Sequence, residues 1–179
     1  DLESSSISVA ACRGEYEPAS FVVRANEGIS SLAVVATDLA GPSGSISSAA
    51  VDIRVVKCWY VAGTTMPYVG TKTLAPELLL KDDSLVKVEN GENYLKLTTG
   101  EYVWISDPTD TSTQYPSITS MPVKDSATLL PVNIPVNTNK QFWITVHVPE
   151  SGASGTYAGS INLSTSAGGL IGQMNLNVE

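Results

Sequence analysis

The chain has 179 residues, few of them charged, and a net charge of −8 at pH 7. Such a surface repels phosphate backbones and anionic lipids, so neither nucleic acid nor a membrane is expected as a partner, and an anionic polysaccharide is disfavoured. No apolar run approaches the roughly 20 residues of a membrane-spanning helix. The length suits one domain with its own core, and the Ser-, Thr-, Gly- and Asn-rich polar positions are typical of an extracellular bacterial β-domain.

The first sixty residues are a succession of runs with the period of two that marks a β-strand. Pro18 has no N–H to donate, so the second run is expected to begin at a sheet edge, and Phe21 is predicted to be in the core. Trp59 shares the parity of Val55 and is also assigned to the core. The predicted strands run over 7–12, 16–25, 32–39 and 51–60, and the Gly- and Ser-rich residues 41–48 are expected to form a loop.

The middle of the chain alternates irregular and regular stretches. Residues 61–83 and 107–140 have no clean period and several prolines, and loops of that length usually serve function or cover a core. Residues 86–97 are predicted to form a hairpin that turns at Asn90-Gly91. In the next predicted strand Tyr102 and Trp104 share one face.

Residues 141–163 contain the clearest hairpin. Phe142, Ile144, Val146 and Val148 alternate with Trp143, Thr145 and His147, and the SGASG stretch supplies a turn. A last strand is expected over 172–178, and no segment has a convincing helical period. We therefore predict a single domain over 1–179, an all-β, two-sheet antiparallel β-sandwich that is jelly-roll-like, with two long irregular insertions.

Few residues suggest catalysis or metal binding. His147 is the only histidine, so neither a zinc site nor a Ser-His-Asp triad is expected. The two cysteines, Cys12 and Cys58, are compatible with one disulfide or with two buried thiols. No cofactor is expected. Four aspartates in or beside the irregular stretches fit solvated loop residues, with a calcium site or a glycosidase carboxylate pair as the alternatives: Asp82, Asp83, Asp107 and Asp110.

Aromatic side chains suggest a ligand more directly. Sugar rings present apolar C–H faces on which flat side chains stack, although the same rings serve protein interfaces or core packing. Several aromatics end or interrupt strands, or lie in the irregular stretches. The predicted carbohydrate-binding residues are Trp143, Trp104, Tyr68, Tyr115 and Tyr60.

Three stretches in order resemble a known family: residues 11–25 (ACRGEYEPASFVVRA), 51–60 (VDIRVVKCWY) with 76–83 (PELLLKDD), and 140–161 (KQFWITVHVPESGASGTYAGSI). They are similar to the β-sandwich domain N-terminal to the (β/α)8 barrel of large secreted bacterial glycoside hydrolases, of family 123 and uncharacterised relatives. No part of the chain resembles the catalytic barrel. The resemblance therefore implies an accessory module that is covalently linked to a catalytic domain.

We accordingly expect a non-catalytic carbohydrate-binding module of a secreted polysaccharide-degrading enzyme, with a polysaccharide or oligosaccharide as its partner. A start at Asp1 without an initiating Met is what a mature secreted or periplasmic protein, or an excised domain, would show. One alternative is a structural module that docks on a catalytic domain and has no sugar site. The other is a small glycan hydrolase or lyase that uses loop carboxylates.

Overall fold

The computed structural model of the chain describes residues 4–42, 44–61, 72–105 and 123–179. Their contacts divide the chain into a first unit, Asp1–Arg54 with Leu129–Glu179, and a second unit, Val55–Thr128. The helical content of the described ranges is one 3-10 turn, Ser48–Ala50, so the predicted all-β class is confirmed. Within those ranges, no helix has the length and apolarity to cross a membrane.

The strands are numbered in chain order. They are β1 Ser6–Val9, β2 Tyr16–Ala25, β3 Ile29–Ala36, β4 Leu39–Gly41, β5 Gly44–Ile46, β6 Val51–Val61, β7 Thr73–Leu80, β8 Val86–Glu89, β9 Glu92–Lys96, β10 Tyr102–Trp104, β11 Val132–Ile134, β12 Thr138–His147, β13 Tyr157–Thr165 and β14 Gly169–Val178.

The first unit contains two sheets. One has the order β1-β14-β13-β3-β11, with β4 and β5 attached beside β13, and its pairings are antiparallel except that β1 runs parallel to β14. In the other sheet β2 is an edge strand, as Pro18 predicts, and pairs with β12 from Thr138–Ala25 to His147–Tyr16. β6 follows β12 in this sheet.

The core of the first unit contains the apolar side chains that alternate along the predicted strands. Phe142, Ile144 and Val146 are fully buried on β12, and Phe142 stacks on Phe21 with ring centroids 5.2 Å apart. The other sheet contributes buried aliphatic side chains from its inner face, among them Leu32 and Ile161. Each such residue contributes about 1.5–3 kcal/mol by leaving water, so apolar burial from two sheets stabilises a sandwich.

Four strands, β4, β5, β7 and β11, were not predicted because they are short or lack alternation. The predicted loop 41–48 is wrong, since β4 and β5 form a tight hairpin there with Gly44 at φ +129°. The predicted irregular stretches contain β7, β11 and the first residues of β12. A strand of three residues, or one interrupted by Pro76, gives too few positions for a period of two to be recognised.

The second unit contains the end of β6, which pairs with β7, and a three-stranded sheet of order β10-β9-β8. The predicted turn at Asn90-Gly91 is confirmed, because both residues have positive φ, +52° and +81°, as a type I′ turn requires. That turn pairs Lys87 with Tyr94 across the hairpin.

Two predictions about β6 and the cysteines are wrong. Trp59 is half-buried, since the regular burial pattern of β6 ends after Val55, where the register with β7 shifts opposite Pro76. The Trp59 Nε1–H donates to Glu77 Oε2 at 2.9 Å, and this hydrogen bond is exposed. Cys12 and Cys58 are free, and both are exposed rather than buried.

Candidate functional site

Three aromatic side chains share one face of the β10-β9-β8 sheet. Trp104 pairs directly with Tyr94, and Tyr102 lies two residues from Trp104 on the same strand. Directly opposed residues project from the same side of a sheet, whereas Leu95 and Val103 project from the other side. We call Tyr94, Tyr102 and Trp104, with the charged residues Lys87, Glu89, Glu92 and Lys96 of the same side, the aromatic face.

Hydrogen bonds hold the Trp104 indole in place. Its Nε1–H donates to Glu92 Oε2 at 3.0 Å, and Glu92 Oε1 accepts from Lys72 Nζ at 2.7 Å. One oxygen of the Glu92 carboxylate is thus paired with the Lys72 ammonium, and the other orients the Trp104 ring. A ring that is already oriented loses little conformational entropy when a ligand stacks on it.

The two tyrosines of the aromatic face share one cation. Lys87 Nζ lies 5.7 Å from the Tyr94 ring centroid and 5.9 Å from that of Tyr102. The side-chain hydrogen bond from Lys87 to Glu89 raises the pKa of Lys87, so this ammonium is charged at neutral pH. The Tyr102 hydroxyl donates to the Ser84 carbonyl at 2.6 Å, and the Tyr102 side chain is 39% exposed. Tyr94 and Trp104 are half-buried.

A buried asparagine fastens this sheet to β6. Asn93 is 3% exposed; its Nδ2 donates to the Tyr60 carbonyl at 2.7 Å and its Oδ1 accepts from the Tyr60 N–H at 2.8 Å. The Ile105 N–H donates to the Asn93 carbonyl at 2.9 Å. Tyr60, a predicted binding residue, therefore supports the aromatic face through its main chain, while its side chain is half-buried.

Trp143, the first of the predicted binding residues, belongs to the first unit. It is half-buried on the outer face of β2 and β12, opposite Ser20. On the same face His147 stacks on Tyr16, with centroids 4.2 Å apart and planes 11° apart. Trp143 and Trp104 thus lie in different units, and Tyr68 and Tyr115 lie outside the described residues.

Two of the four candidate calcium aspartates, Asp82 and Asp83, are engaged by lysines. Asp82 accepts from the Ser84 N–H and hydroxyl at 2.8 and 2.6 Å and lies 3.5 Å from Lys96 Nζ. Asp83 pairs with Lys57 at 3.2 Å. Asp107 and Asp110 lie outside the described residues, and the described ranges contain no group of three or more acidic, His or Cys ligands that would hold a metal.

The environment of Asp82 favours its ionised form. Burial opposes ionisation, but the hydrogen bonds from Ser84 and the charge of Lys96 outweigh it and lower the pKa of Asp82 from its ordinary value of 3.8. The carboxylate is therefore a structural anion that fastens the start of β8 to β9.

Sequence reasoning missed Tyr94 and Lys87 as members of the site. A two-residue turn at Asn90-Gly91 fixes the register of the hairpin and places Lys87 opposite Tyr94, so this pair could have been predicted from the sequence. What the sequence did not indicate is that β10 lies beside β9 and brings Trp104 next to Tyr94.

Among known proteins, no family model and no curated protein matches the sequence. The chain is similar in fold to a family 123 glycoside hydrolase from Clostridium perfringens whose structural analysis addressed glycolipid glycan hydrolysis. The TM-score is 0.59 at 14% identity, over 99% of this chain and 23% of the hydrolase chain. The match shows a likeness of fold over nearly the whole of this chain, and this chain spans about a quarter of that hydrolase chain.

Proposed function

We propose that this chain is a non-catalytic carbohydrate-binding module of a secreted bacterial polysaccharide-degrading enzyme, and that the aromatic face binds the glycan. The observation that carries the proposal is the interleaving of three aromatic rings with lysines and a carboxylate on one side of the β10-β9-β8 sheet.

The chemistry of the aromatic face fits a neutral sugar chain. Rings stack on sugar C–H faces, and Lys87, Glu92 and Lys96 offer donors and an acceptor to hydroxyl groups at the ring edges. Both charge signs occur on this face, and the chain as a whole carries −8, so an anionic glycan is not favoured. Stacking contributes modestly per ring, and the expected Kd is on the order of micromolar to millimolar.

Two observations support an accessory role. One neighbour in fold is a glycoside hydrolase about four times as long as the matched region, which fits a module that is covalently linked to a catalytic domain. The carboxylates of Asp82, Asp83 and Glu92 are each held by a lysine, an arrangement that suits structure better than acid–base catalysis.

Affinity electrophoresis tests the proposal directly. The wild-type chain should be retarded in gels that contain a neutral polysaccharide, and Trp104→Ala should be retarded much less. Tyr94→Ala should weaken retardation in the same way. Incubation of the chain with the retarding polysaccharide should release no new reducing ends, because the proposed module only binds.

Trp59→Ala is the matched control. Trp59 is also a half-buried tryptophan of the second unit whose Nε1–H donates to a glutamate, but it lies on β6 and not on the aromatic face. The Trp59→Ala variant should be retarded by the polysaccharide as strongly as the wild-type chain. Equal losses in Trp59→Ala and Trp104→Ala would contradict the assignment, and new reducing ends would favour the hydrolase or lyase alternative.

Exposed apolar side chains in the first unit favour docking as a second candidate function. Tyr16 is 66% exposed and Val22 is 57% exposed, and both lie on the outer face of β2 and β12 that carries Trp143. Surfaces of this kind often mark protein interfaces. If docking is the function, no polysaccharide should retard the chain, and Tyr16→Ser with Val22→Thr should lower the binding of a hydrophobic dye without lowering the melting temperature.

A further inference from the structure

A cavity of about 520 Å³ opens at one end of the first unit. Its walls come from the segment between β1 and β2, the loop that joins β12 to β13, β5 and the residues that end and follow β14. The volume lies within the roughly 300–1,000 Å³ of small-molecule sites. We infer that this cavity binds the terminal residue of a neutral sugar chain. The inference does not rest on the aromatic face, which belongs to the second unit.

The floor of the cavity is apolar. Side chains that are almost entirely buried form it, and they belong to β5, β13, β14 and the residue that follows β12: Ile46, Tyr157, Val178 and Val148. An apolar floor removes the C–H face of a sugar ring from water, which supplies the non-directional part of the binding free energy.

The rim supplies hydroxyl groups and one charge of each sign. Ser45, Ser151 and Ser154 line the cavity, as do Arg13 and Glu179. Each hydroxyl both donates and accepts, the guanidinium only donates and the carboxylate only accepts, which matches the mixed requirements of sugar hydroxyls. Since the charges oppose each other, the cavity favours a neutral ligand over a carboxylated or phosphorylated one.

The walls are held in place without a ligand. The Tyr157 hydroxyl donates to the Ala153 carbonyl at 3.1 Å, and a Cβ on Gly41 would overlap the Tyr157 ring. On the other side, the Gly14 N–H donates to the Val148 carbonyl at 2.9 Å. A preformed cavity spares the ligand the entropy cost of ordering its loops. Its enclosed floor suits the end of a glycan, whereas an open sheet face suits the middle of one.

The two cysteines provide the test. Cys12 lines the cavity, Cys58 belongs to the second unit, and both are free and exposed. The rate of alkylation by iodoacetamide is measured at each cysteine by peptide mass spectrometry, with glucose, galactose or mannose as the probe. At about five times the Kd, a bound sugar should slow alkylation of Cys12 about sixfold, because the free fraction is 1/(1 + [sugar]/Kd). The rate at Cys58 should not change.

Two arginine variants sharpen the test. Arg13→Ala should abolish the protection of Cys12, while Arg24→Ala, which removes another exposed arginine of the first unit that does not line the cavity, should retain it. Trp104→Ala should also retain it, which separates this site from the proposed aromatic face.

Three results would overturn the inference. The first is that none of the three sugars slows alkylation of Cys12. The second is equal slowing at Cys12 and Cys58, which would reveal a general effect of the sugar on the reagent. The third is stronger protection by glucuronate than by the neutral hexoses, which would assign the cavity to an anionic ligand instead.

Discussion

The outer face of β2 and β12 and the aromatic face differ in what lies beneath them. Under Trp143, ten consecutive residue pairs join β2 to β12, and Phe142, Ile144 and Val146 anchor the ladder in the core. Under Trp104, strands of three to five residues are fastened by Asn93 and by hydrogen bonds among charged and aromatic side chains.

From this difference we expect the outer face of β2 and β12 to matter for the stability of the fold and the aromatic face to matter for ligand binding. A long ladder over an apolar core stabilises the fold whatever its outer side chains are, so that face does not require preoriented rings. A short sheet depends on directional polar contacts, and the same contacts hold the rings of Tyr102 and Trp104 in fixed orientations. We therefore expect core substitutions to be most costly under the first face and ring substitutions to affect binding at the second.

The largest effect is predicted for Phe142→Ala. Phe142 is fully buried against Phe21, and truncation of a core phenylalanine costs about 3–5 kcal/mol through lost burial and the cavity left behind. Urea unfolding should show the loss as a lower midpoint. Phe142→Leu is the control and should cost clearly less; an equal cost would mean that ring stacking, not volume, matters at this site.

Asn93→Ala should have the next largest effect. It leaves the N–H and carbonyl of Tyr60 without the asparagine that now pairs both, and an unsatisfied buried polar group costs about 1–3 kcal/mol. Chemical unfolding measures the loss, and polysaccharide retardation should weaken with it. Asn139→Ala, at an exposed position of β12, should change neither property. A stable Asn93→Ala variant that still binds would show that the aromatic face does not depend on this anchor.

Trp104→Ala and Trp143→Ala compare the two faces directly. Loss of a stacking ring at the aromatic face should weaken glycan binding about tenfold, or ~1.4 kcal/mol, by isothermal titration. Trp143→Ala should leave affinity unchanged while lowering the melting temperature slightly, because it removes half-buried ring packing. The reverse result would move the sugar site to the outer face of β2 and β12.

The smallest effect concerns acid stability and Asp82. Since the folded-state pKa of Asp82 lies below its ordinary value of 3.8, unfolding takes up a proton as the pH approaches that value. The stabilisation is present above the ordinary pKa and is lost as the pH falls through the folded value. Asp82→Asn should therefore show a smaller drop in melting temperature between about pH 6 and about pH 3 than the wild type. Ser84→Ala, which removes one hydrogen bond to the carboxylate, should be intermediate. Identical drops in all three proteins would refute the contribution of Asp82.

Local patterns in the sequence were enough to predict the all-β class, strands over 16–25 and from residue 141 onward, and the hairpin with its turn at Asn90-Gly91. These features arise from alternation and turn chemistry, which act over a few residues and can be recognised locally. The prediction that Tyr102 and Trp104 lie on one face of a strand also rests on such a local alternation.

The order of the strands in each sheet could not be predicted and is known from the structure. β10 lies beside β9, so Trp104 is paired with Tyr94. Asn93 forms hydrogen bonds with the main chain of Tyr60. The alternating burial of β6 ends where its register with β7 shifts, and Trp59 is therefore half-buried. The cavity lined by Cys12 and Tyr157 likewise joins segments far apart in the chain. Such contacts depend on strand order and on which edges remain available, and a local pattern carries no information about either.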